Sequence, residues 1–206
     1  FSGTPDNADV GVYTISVTAS DGEGQATDSF TVTVSNVNDA PSLASAVADQ
    51  TLDEDTAFSL SMTGVFNDDD TIHGDSFTMT AANMPSWMSF DGTDFSGTPD
   101  NADVGVYTIS VTASDDEGQA TDSFTVTVSN VNDAPSLASA VADQTVDEDT
   151  AFSLSMTGVF NDDDTIHGDS FTMTAANMPS WMSFNGTDFS GTPDNADVGV
   201  YTISVT

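Results

Sequence analysis

Apolar and polar residues alternate along several short runs of the chain, and this alternation predicts β-strands. The run from Val10 to Thr18 has the two-residue period of a half-buried strand. The run from Asp28 to Val34 alternates in the same way, and the intervening residues Asp21 to Gly24 have the composition of a turn. These two runs therefore predict a β-hairpin.

Residues 40–133 contain more short runs of this kind, and turn-forming residues separate them about every 8–12 residues. The further predicted strands are Leu43 to Val47, Ala57 to Met62, Ser76 to Ala81, Trp87 to Phe90 and Thr93 to Gly97. Acidic turns lie at residues 53–55 and 67–75, and no run has a helical period. About seven short strands in one unit predict an all-β fold of the Ig-like β-sandwich type.

The whole pattern recurs with a period of 94 residues. Aligning residues 1–112 with residues 95–206 leaves three differences, namely Gly22/Asp116, Leu52/Val146 and Asp91/Asn185. Near-identical repeats are typical of tandem arrays. We predict three segments: residues 1–39 as the C-terminal part of one repeat, 40–133 as a complete repeat, and 134–206 as the N-terminal part of the next.

Neither partial repeat is expected to close a sandwich by itself. Two arrangements stay open at this point. The chain is part of a longer tandem array, or neighbouring copies complete the open sandwiches by adding a strand. We favour the array.

The chain is strongly acidic, because it contains 34 Asp and Glu residues and no Lys or Arg. Nucleic acids and anionic membranes are therefore not expected as partners, since both bind cationic side chains. The sequence has no cysteine and no apolar run of membrane-spanning length, so neither disulfides nor membrane insertion are predicted. Most of the acids are Asp, whose short carboxylate in turns is a common ligand of Ca²⁺.

Several motifs resemble known domains. Those that resemble the end of a cadherin repeat and its linker are Val111-Thr-Ala-Ser-Asp115, Thr125-Val-Thr-Val128 and Asn130-Val-Asn-Asp-Ala-Pro135. Those that resemble the dystroglycan-type cadherin-like domain of large bacterial surface proteins are Phe66-Asn-Asp-Asp-Asp70, Pro85-Ser-Trp-Met-Ser-Phe90 and Phe95-Ser-Gly-Thr-Pro99. The resemblance covers the whole 94-residue unit.

Cadherins bind Ca²⁺ between successive domains, so the resemblance implies a set of oxygen ligands at each joint. For the joint at residues 130–135 the implied ligands are Glu54, Asn130, Asn132, Asp133, Asp162 and Asp164. For the joint at residues 36–41 they are Asn36, Asn38, Asp39, Asp68, Asp70 and Asp115. Asp100, with Asp103, is a stand-in for an acidic cadherin motif that this sequence lacks, and the number of ions per joint therefore stays open.

The chemistry of the acidic runs also favours a metal. Asp53-Glu54-Asp55 and Asp68-Asp69-Asp70 place like charges side by side, and the chain has no Lys or Arg to offset them. Hard oxygen ligands without a cluster of His or Cys select Ca²⁺ over Zn²⁺. The alternative interpretation is a solvated acidic surface, which we prefer for isolated acids such as Asp28 and Asp49.

These features predict an extracellular structural protein, secreted or on the cell surface: a fibre or adhesin stalk with calcium-stiffened joints. The alternative is a carbohydrate- or protein-binding module in multiple copies, with Trp87 and Trp181 as a stacking platform, although such Trp residues are more often part of a core. An enzyme is not expected, since His73 and His167 have no nucleophile placed beside them.

Overall fold

In the computed structural model, which describes residues 1–206, the chain forms 18 β-strands and five short 3₁₀ helices and contains no α-helix. The all-β fold class is therefore confirmed. The chain divides into two compact units, Phe1–Ser129 and Asn130–Thr206. The first unit holds both the predicted partial repeat 1–39 and most of the predicted complete repeat, and the boundaries predicted at 39/40 and 133/134 stay predictions.

The first unit contains eleven strands and three 3₁₀ helices. The strands are β1 (Gly11–Ser20), β2 (Gln25–Val34), β3 (Ser42–Leu43), β4 (Gln50–Asp53), β5 (Phe58–Ser61), β6 (Phe66–Asn67), β7 (Thr78–Ala82), β8 (Met88–Phe90), β9 (Asp94–Gly97), β10 (Gly105–Ser114) and β11 (Gln119–Ser129). The 3₁₀ helices are η1 (Asn7–Asp9), η2 (Asp69–His73) and η3 (Asn101–Asp103).

Strands β3 to β11 form one sandwich. One sheet has the order β4-β11-β10-β7 and the other has the order β5-β9-β8, with β3 and β6 forming a short separate pair. Strand β4 pairs parallel to β11, whereas β10 pairs antiparallel to both of its neighbours. Strands β1 and β2 form a two-stranded antiparallel hairpin of their own.

The alternation along β10 and β11 determines which side chains enter the core. Ile109, Val111, Phe124 and Val126 point inward and are buried, and Phe124 meets Phe95 of the opposite sheet edge-on at 5.7 Å between ring centroids. Hydroxyl side chains occupy the outward positions between them, as in other antiparallel sheets with one solvated face. The hydrophobic pattern predicted these strands correctly.

Two local features that the sequence analysis did not predict support the sandwich. The Tyr107 hydroxyl donates a hydrogen bond of 2.7 Å to the carbonyl oxygen of Asp103, four residues upstream, which is the geometry of a tyrosine corner. A Cβ atom at Gly97 would lie 2.2 Å from the carbonyl oxygen of Trp87, so only glycine permits this close approach of β9 to the Trp87 backbone.

The strands near residues 42–53 differ from the prediction. The strand predicted at Leu43 to Val47 is only the two-residue β3, and the strand Gln50–Asp53 was not predicted. The reason is that two aspartate side chains accept backbone hydrogen bonds that a neighbouring strand would otherwise accept. Asp122 accepts a 2.7 Å hydrogen bond from the backbone N–H of Val47, and Asp49 accepts one of 2.7 Å from that of Thr125.

The second unit repeats the first strands of this sandwich. Its strands are β12 (Ser136–Leu137), β13 (Phe152–Ser155), β14 (Phe160–Asn161), β15 (Ala175–Ala176), β16 (Met182–Phe184), β17 (Asp188–Gly191) and β18 (Ser204–Val205), and its 3₁₀ helices are η4 (Asp163–His167) and η5 (Asn195–Asp197). Sheet β13-β17-β16 reproduces sheet β5-β9-β8. The structure contains no helix with the length and apolar character that crossing a bilayer requires.

Candidate metal centre

The linker at residues 36–41 is held against one end of the complete sandwich. The backbone N–H of Asp39 donates to Asp70 Oδ2, and the side-chain amide of Asn38 donates a 3.1 Å hydrogen bond to Asp115 Oδ2. Pro41, the last residue of the linker, is buried. The linker therefore contacts two different loops of the domain that follows it.

The loop around η2 brings its acids together by local hydrogen bonding. Asp68 caps η2, with Oδ1 accepting from the backbone N–H of Asp70 at 2.8 Å. Gly74 ends the turn at φ 96°, a left-handed conformation that glycine adopts without strain. The chain then reverses, and the N–H of Asp75 donates to the carbonyl oxygen of Asp70 at 3.2 Å. Asp75 thereby returns to the side of the loop that carries Asp68.

Asp68, Asp75 and Asp115 form an acidic cluster whose candidate ligand oxygens all lie within 4.8 Å of one another. Asp68 is only 3% exposed, yet its Oδ2 has no hydrogen-bond partner, and Asp75 Oδ2 also lacks one. The neighbouring Asp70 is fully buried, with Oδ1 unpartnered. Buried carboxylates are normally paired with a cation or bound to a metal, and this chain has no Lys or Arg.

The environment of Asp115 keeps this carboxylate ionised. Partial desolvation acts to raise its pKa, but hydrogen bonds from the backbone N–H groups of Gly118 and Glu117 and from the Asn38 amide outweigh that effect. The net pKa of Asp115 lies below its ordinary value of 3.8. A deprotonated carboxylate beside buried, unpartnered oxygens is the donor set that a hard cation such as Ca²⁺ requires.

The structure thus brings together part of the ligand set implied for this joint. Asp68 and Asp115 lie in the cluster, and the Asn38 amide donates to Asp115. Asp39 donates to Asp70, whose own backbone N–H donates to Asp68. Asn36 is exposed, and no hydrogen bond joins it to the cluster. Asp75 belongs to the cluster although the sequence analysis did not select it. The signal that could have found it is the glycine before it, which ends a capped acidic turn in both copies.

The second unit repeats the arrangement of the acidic loop and its linker. Asp162 caps η4 and is buried, and Asp164 is fully buried with Oδ1 unpartnered. The backbone N–H of Asp133 donates to Asp164 Oδ2, just as Asp39 donates to Asp70. Asn130 and Asn132 are exposed, and the Asn132 amide donates to the carbonyl oxygen of Asp133 at 3.1 Å.

Two further predicted ligands, Glu54 and Asp100, lie in other loops of the first unit. Glu54 is buried directly after β4, and its backbone N–H donates to the carbonyl oxygen of Ser129 at 3.0 Å. Asp100 is exposed and caps η3, accepting a 2.9 Å hydrogen bond from the backbone N–H of Ala102. This capping role accounts for Asp100 without a metal, and the assignment of both residues to a joint stays a prediction.

Residues that precede the linker also contact the acidic loop. His73 Nε2 lies 2.9 Å from the carbonyl oxygen of Asn7, which accepts the hydrogen bond when that nitrogen carries the proton. His73 is exposed, as expected for a residue in a solvated loop. The 3₁₀ helices η1 and η2 are therefore joined by at least one polar contact within the first unit.

Trp87 packs mainly within the sandwich. It lies edge-on to Phe58 at 5.9 Å and to Tyr107 at 6.3 Å, and it is partly buried against the hydrophobic core. Trp181 makes the equivalent contacts with Phe152 and Tyr201. Rings engaged in this way favour the core interpretation of Trp87 over a stacking platform for sugars.

Comparison with protein families gives one match that recurs along the chain. A family model described as "Putative Ig domain" matches residues 1–35, 40–129 and 134–206. The three matched segments follow the predicted 94-residue repeat, and together they cover more than half of the chain. No curated protein matches the chain.

Comparison with solved structures finds matches at low sequence identity. An endo-fucoidan hydrolase of glycoside hydrolase family 107 is 24% identical, with 99% of this chain and 33% of that chain covered and a TM-score of 0.39. Titin domains I67–I69 are 14% identical, with 98% and 71% covered and a TM-score of 0.34. Sidekick-1 immunoglobulin domains 1–5 are 17% identical, with 61% and 26% covered and a TM-score of 0.36. The chain spans about a third of the length of the hydrolase chain.

Proposed function

Because this chain belongs to the family described as "Putative Ig domain", matched three times in succession, we propose that it is a structural repeat of the cadherin-like type. In this proposal it forms part of an extracellular fibre or adhesin stalk, on the cell surface or secreted. Ca²⁺ bound at the joints between successive Ig-like units stiffens the array. The chain has no enzymatic role in this proposal.

The observation that carries the calcium proposal is the acidic cluster of Asp68, Asp75 and Asp115. A buried carboxylate oxygen without a hydrogen-bond partner, in a chain without Lys or Arg, has no lysine or arginine to balance its charge. Ca²⁺ binds six to eight oxygens and tolerates irregular geometry, which suits carboxylates from two loops. The ion would supply the missing positive charge.

The position of the cluster connects ion binding to the stiffness of the joint. Asn38 contacts Asp115, and Asp39 contacts Asp70, so the linker rests on the same loops that carry the cluster. Without a cation, repulsion among the carboxylates pushes these loops apart. With the charge balanced, the loops stay together and hold the linker in one conformation.

The energy available is sufficient for this role. If free Ca²⁺ stands a hundredfold above the dissociation constant, binding stabilises the folded state by about 2.7 kcal/mol. Fixing the backbone of one linker residue costs about 1–2 kcal/mol. One ion therefore offsets the entropy cost of ordering one or two linker residues. Because the acidic loop recurs at Asp162 and Asp164, the same ion binding would stiffen successive joints of an array.

Thermal unfolding and small-angle scattering, each with Ca²⁺ and with a chelator, test the proposal. We expect Ca²⁺ to raise the melting temperature and to narrow the distribution of molecular lengths. Asp68→Asn should reduce both responses, since it removes a ligand of the first unit and leaves the acidic loop at Asp162 and Asp164 intact. Asp69→Asn changes the charge equally at the exposed neighbouring position and should leave both responses intact. Identical melting and scattering with and without the ion in the unaltered chain would refute the calcium joint.

A further inference from the structure

The turn between β16 and β17 polarises the side-chain amide of an exposed asparagine. Asn185 Oδ1 accepts two backbone hydrogen bonds, one from the N–H of Thr187 at 2.8 Å and one from that of Asp188 at 2.7 Å. Two N–H donors on one carbonyl oxygen have the arrangement of an oxyanion hole, which stabilises negative charge as it develops on that oxygen. The Cγ atom of Asn185 is therefore more susceptible to attack by a nucleophile.

A nucleophile is available in the next peptide unit, because attack on Cγ by the backbone nitrogen of Gly186 closes a five-membered ring. The N–H of Gly186 donates no hydrogen bond in the structure. Gly186 has no side chain to hinder the ring closure, and a Cβ atom added there would meet no atom within 4 Å. An intramolecular nucleophile reacts much faster than one from solution. Asn185 is the only asparagine of the chain that precedes a glycine.

The complete sandwich shows that a carboxylate fits the same turn. The equivalent turn, between β8 and β9, has Asp91 in place of the asparagine. Asp91 Oδ1 accepts hydrogen bonds from the N–H groups of Asp94 at 2.8 Å and Thr93 at 2.9 Å. These two hydrogen bonds lower the pKa of Asp91 below 3.8, so the carboxylate is ionised at neutral pH. Hydrogen bonds to an ionised acceptor are stronger than those to a neutral one.

We propose that Asn185 is a self-modification site, at which the side-chain amide is converted into the carboxylate that Asp91 already presents. The Gly186 nitrogen forms a bond to Cγ, the bond between Cγ and Nδ2 breaks, and ammonia leaves with the proton that the Gly186 nitrogen gives up. Water then adds to Cγ of the cyclic imide. The bond between Cγ and the Gly186 nitrogen breaks, and that nitrogen regains a proton. The net reaction converts the amide and one water molecule into aspartate and ammonium.

The fold also selects between the two products of ring opening. Water that attacks the backbone carbonyl carbon of residue 185 gives isoaspartate, which adds a methylene group to the main chain. In the turn, the N–H of Asn185 donates to the carbonyl oxygen of Asp188 at 3.1 Å, and Phe184 pairs with Phe189 in the adjoining ladder. An extra main-chain atom would disrupt this register, whereas aspartate preserves it. We therefore expect aspartate as the main product in the folded chain.

The modification would add one negative charge to each turn of this kind that carries asparagine. It is independent of the calcium proposal, because the turn shares no residue with the cluster of Asp68, Asp75 and Asp115. Conversion of Asn185 should proceed equally with Ca²⁺ and with a chelator. Failure of either proposal would therefore leave the other unaffected.

Mass spectrometry of the full chain after incubation in mildly alkaline buffer tests the proposal. Alkaline buffer speeds the reaction because the attacking nitrogen must lose its proton. We expect the mass shift of amide-to-acid conversion at Asn185 before any other asparagine, with little methylation by an isoaspartate methyltransferase. The chain unfolded in concentrated urea is the positive control. It should also convert, but with isoaspartate as the main product, since no turn then restricts ring opening.

Asp91→Asn provides a matched variant, because it places an asparagine before Gly92 in the same turn of the complete sandwich. This variant should gain a second conversion, with the same half-time as that of Asn185. Asn185→Asp should melt at a temperature no lower than the unaltered chain, since it is the expected product. Asn185 that stays an amide in the folded chain while the urea-unfolded chain converts would overturn the proposal. Isoaspartate as the main product of the folded chain would overturn it as well.

Discussion

Replacing Asp75 by asparagine is expected to change the stability of the first unit in opposite directions with and without Ca²⁺. The ligand oxygens of Asp68, Asp75 and Asp115 lie within 4.8 Å of one another. Two unit charges at that separation repel by about 3.5 kcal/mol at an effective dielectric constant of 20. Solvent around Asp75 and Asp115 screens this value strongly, so removing one charge should stabilise the calcium-free protein by about 1 kcal/mol.

With Ca²⁺ present, the same substitution removes a charged ligand. The protein should then lose most of the stabilisation that the ion supplies, about 2.7 kcal/mol when free Ca²⁺ is a hundredfold above the dissociation constant. Urea unfolding with Ca²⁺ and with a chelator measures both effects. Asp116→Asn is the matched control, because Asp116 is exposed and the equivalent position in the first copy is Gly22. If Asp75→Asn destabilised the protein equally in both conditions, Asp75 would have a structural role and the metal assignment would fail.

Three further predictions concern the sandwich itself. Gly97→Ala should destabilise the first unit by at least about 2 kcal/mol in urea unfolding, since the new Cβ would overlap the Trp87 carbonyl oxygen, and an unchanged midpoint would contradict this packing. Tyr107→Phe should cost about 1 kcal/mol through loss of the tyrosine-corner hydrogen bond, and an equally stable variant would show that this bond contributes nothing. The backbone N–H of Thr125 holds the pKa of Asp49 below 3.8, so its stabilising contribution is present above that pH and is lost as the pH falls through the lower folded-state pKa. The free energy of unfolding of Asp49→Asn should therefore fall less steeply with decreasing pH than that of the unaltered chain. Identical dependence on pH in the two proteins would contradict the prediction.

The β-sandwich could be predicted because its signal is local and repeated. Alternation along β10 and β11 assigns each side chain to the core or to solvent, and the 94-residue period repeats the pattern along the chain. Strand β4 could not be predicted in the same way. Its sequence, Gln50-Thr-Leu-Asp53, contains one apolar residue, and the strand forms through parallel pairing with β11, more than 70 residues later in the chain.

The candidate site was predictable where short motifs determine it. Asp68 and Asp70 lie in one acidic turn, and the resemblance to cadherin-like repeats assigned them to the joint together with Asp115. Asp75 was missed because its position depends on the reversal of the chain at Gly74, which is a property of the backbone conformation. Asp100 was selected for the joint, but its spacing to Asp103 is that of a capping box, and the structure shows that local role.

The central claim is that Asp68, Asp75 and Asp115 bind a calcium ion that fixes the linker at residues 36–41. X-ray diffraction from crystals grown with Ca²⁺, recorded where the anomalous signal of calcium is measurable, tests it most directly. We expect an anomalous peak at the cluster, with carboxylate oxygens at about 2.3–2.6 Å from its centre. Density for water alone at that position, with the carboxylates turned away from one another at millimolar Ca²⁺, would contradict the claim.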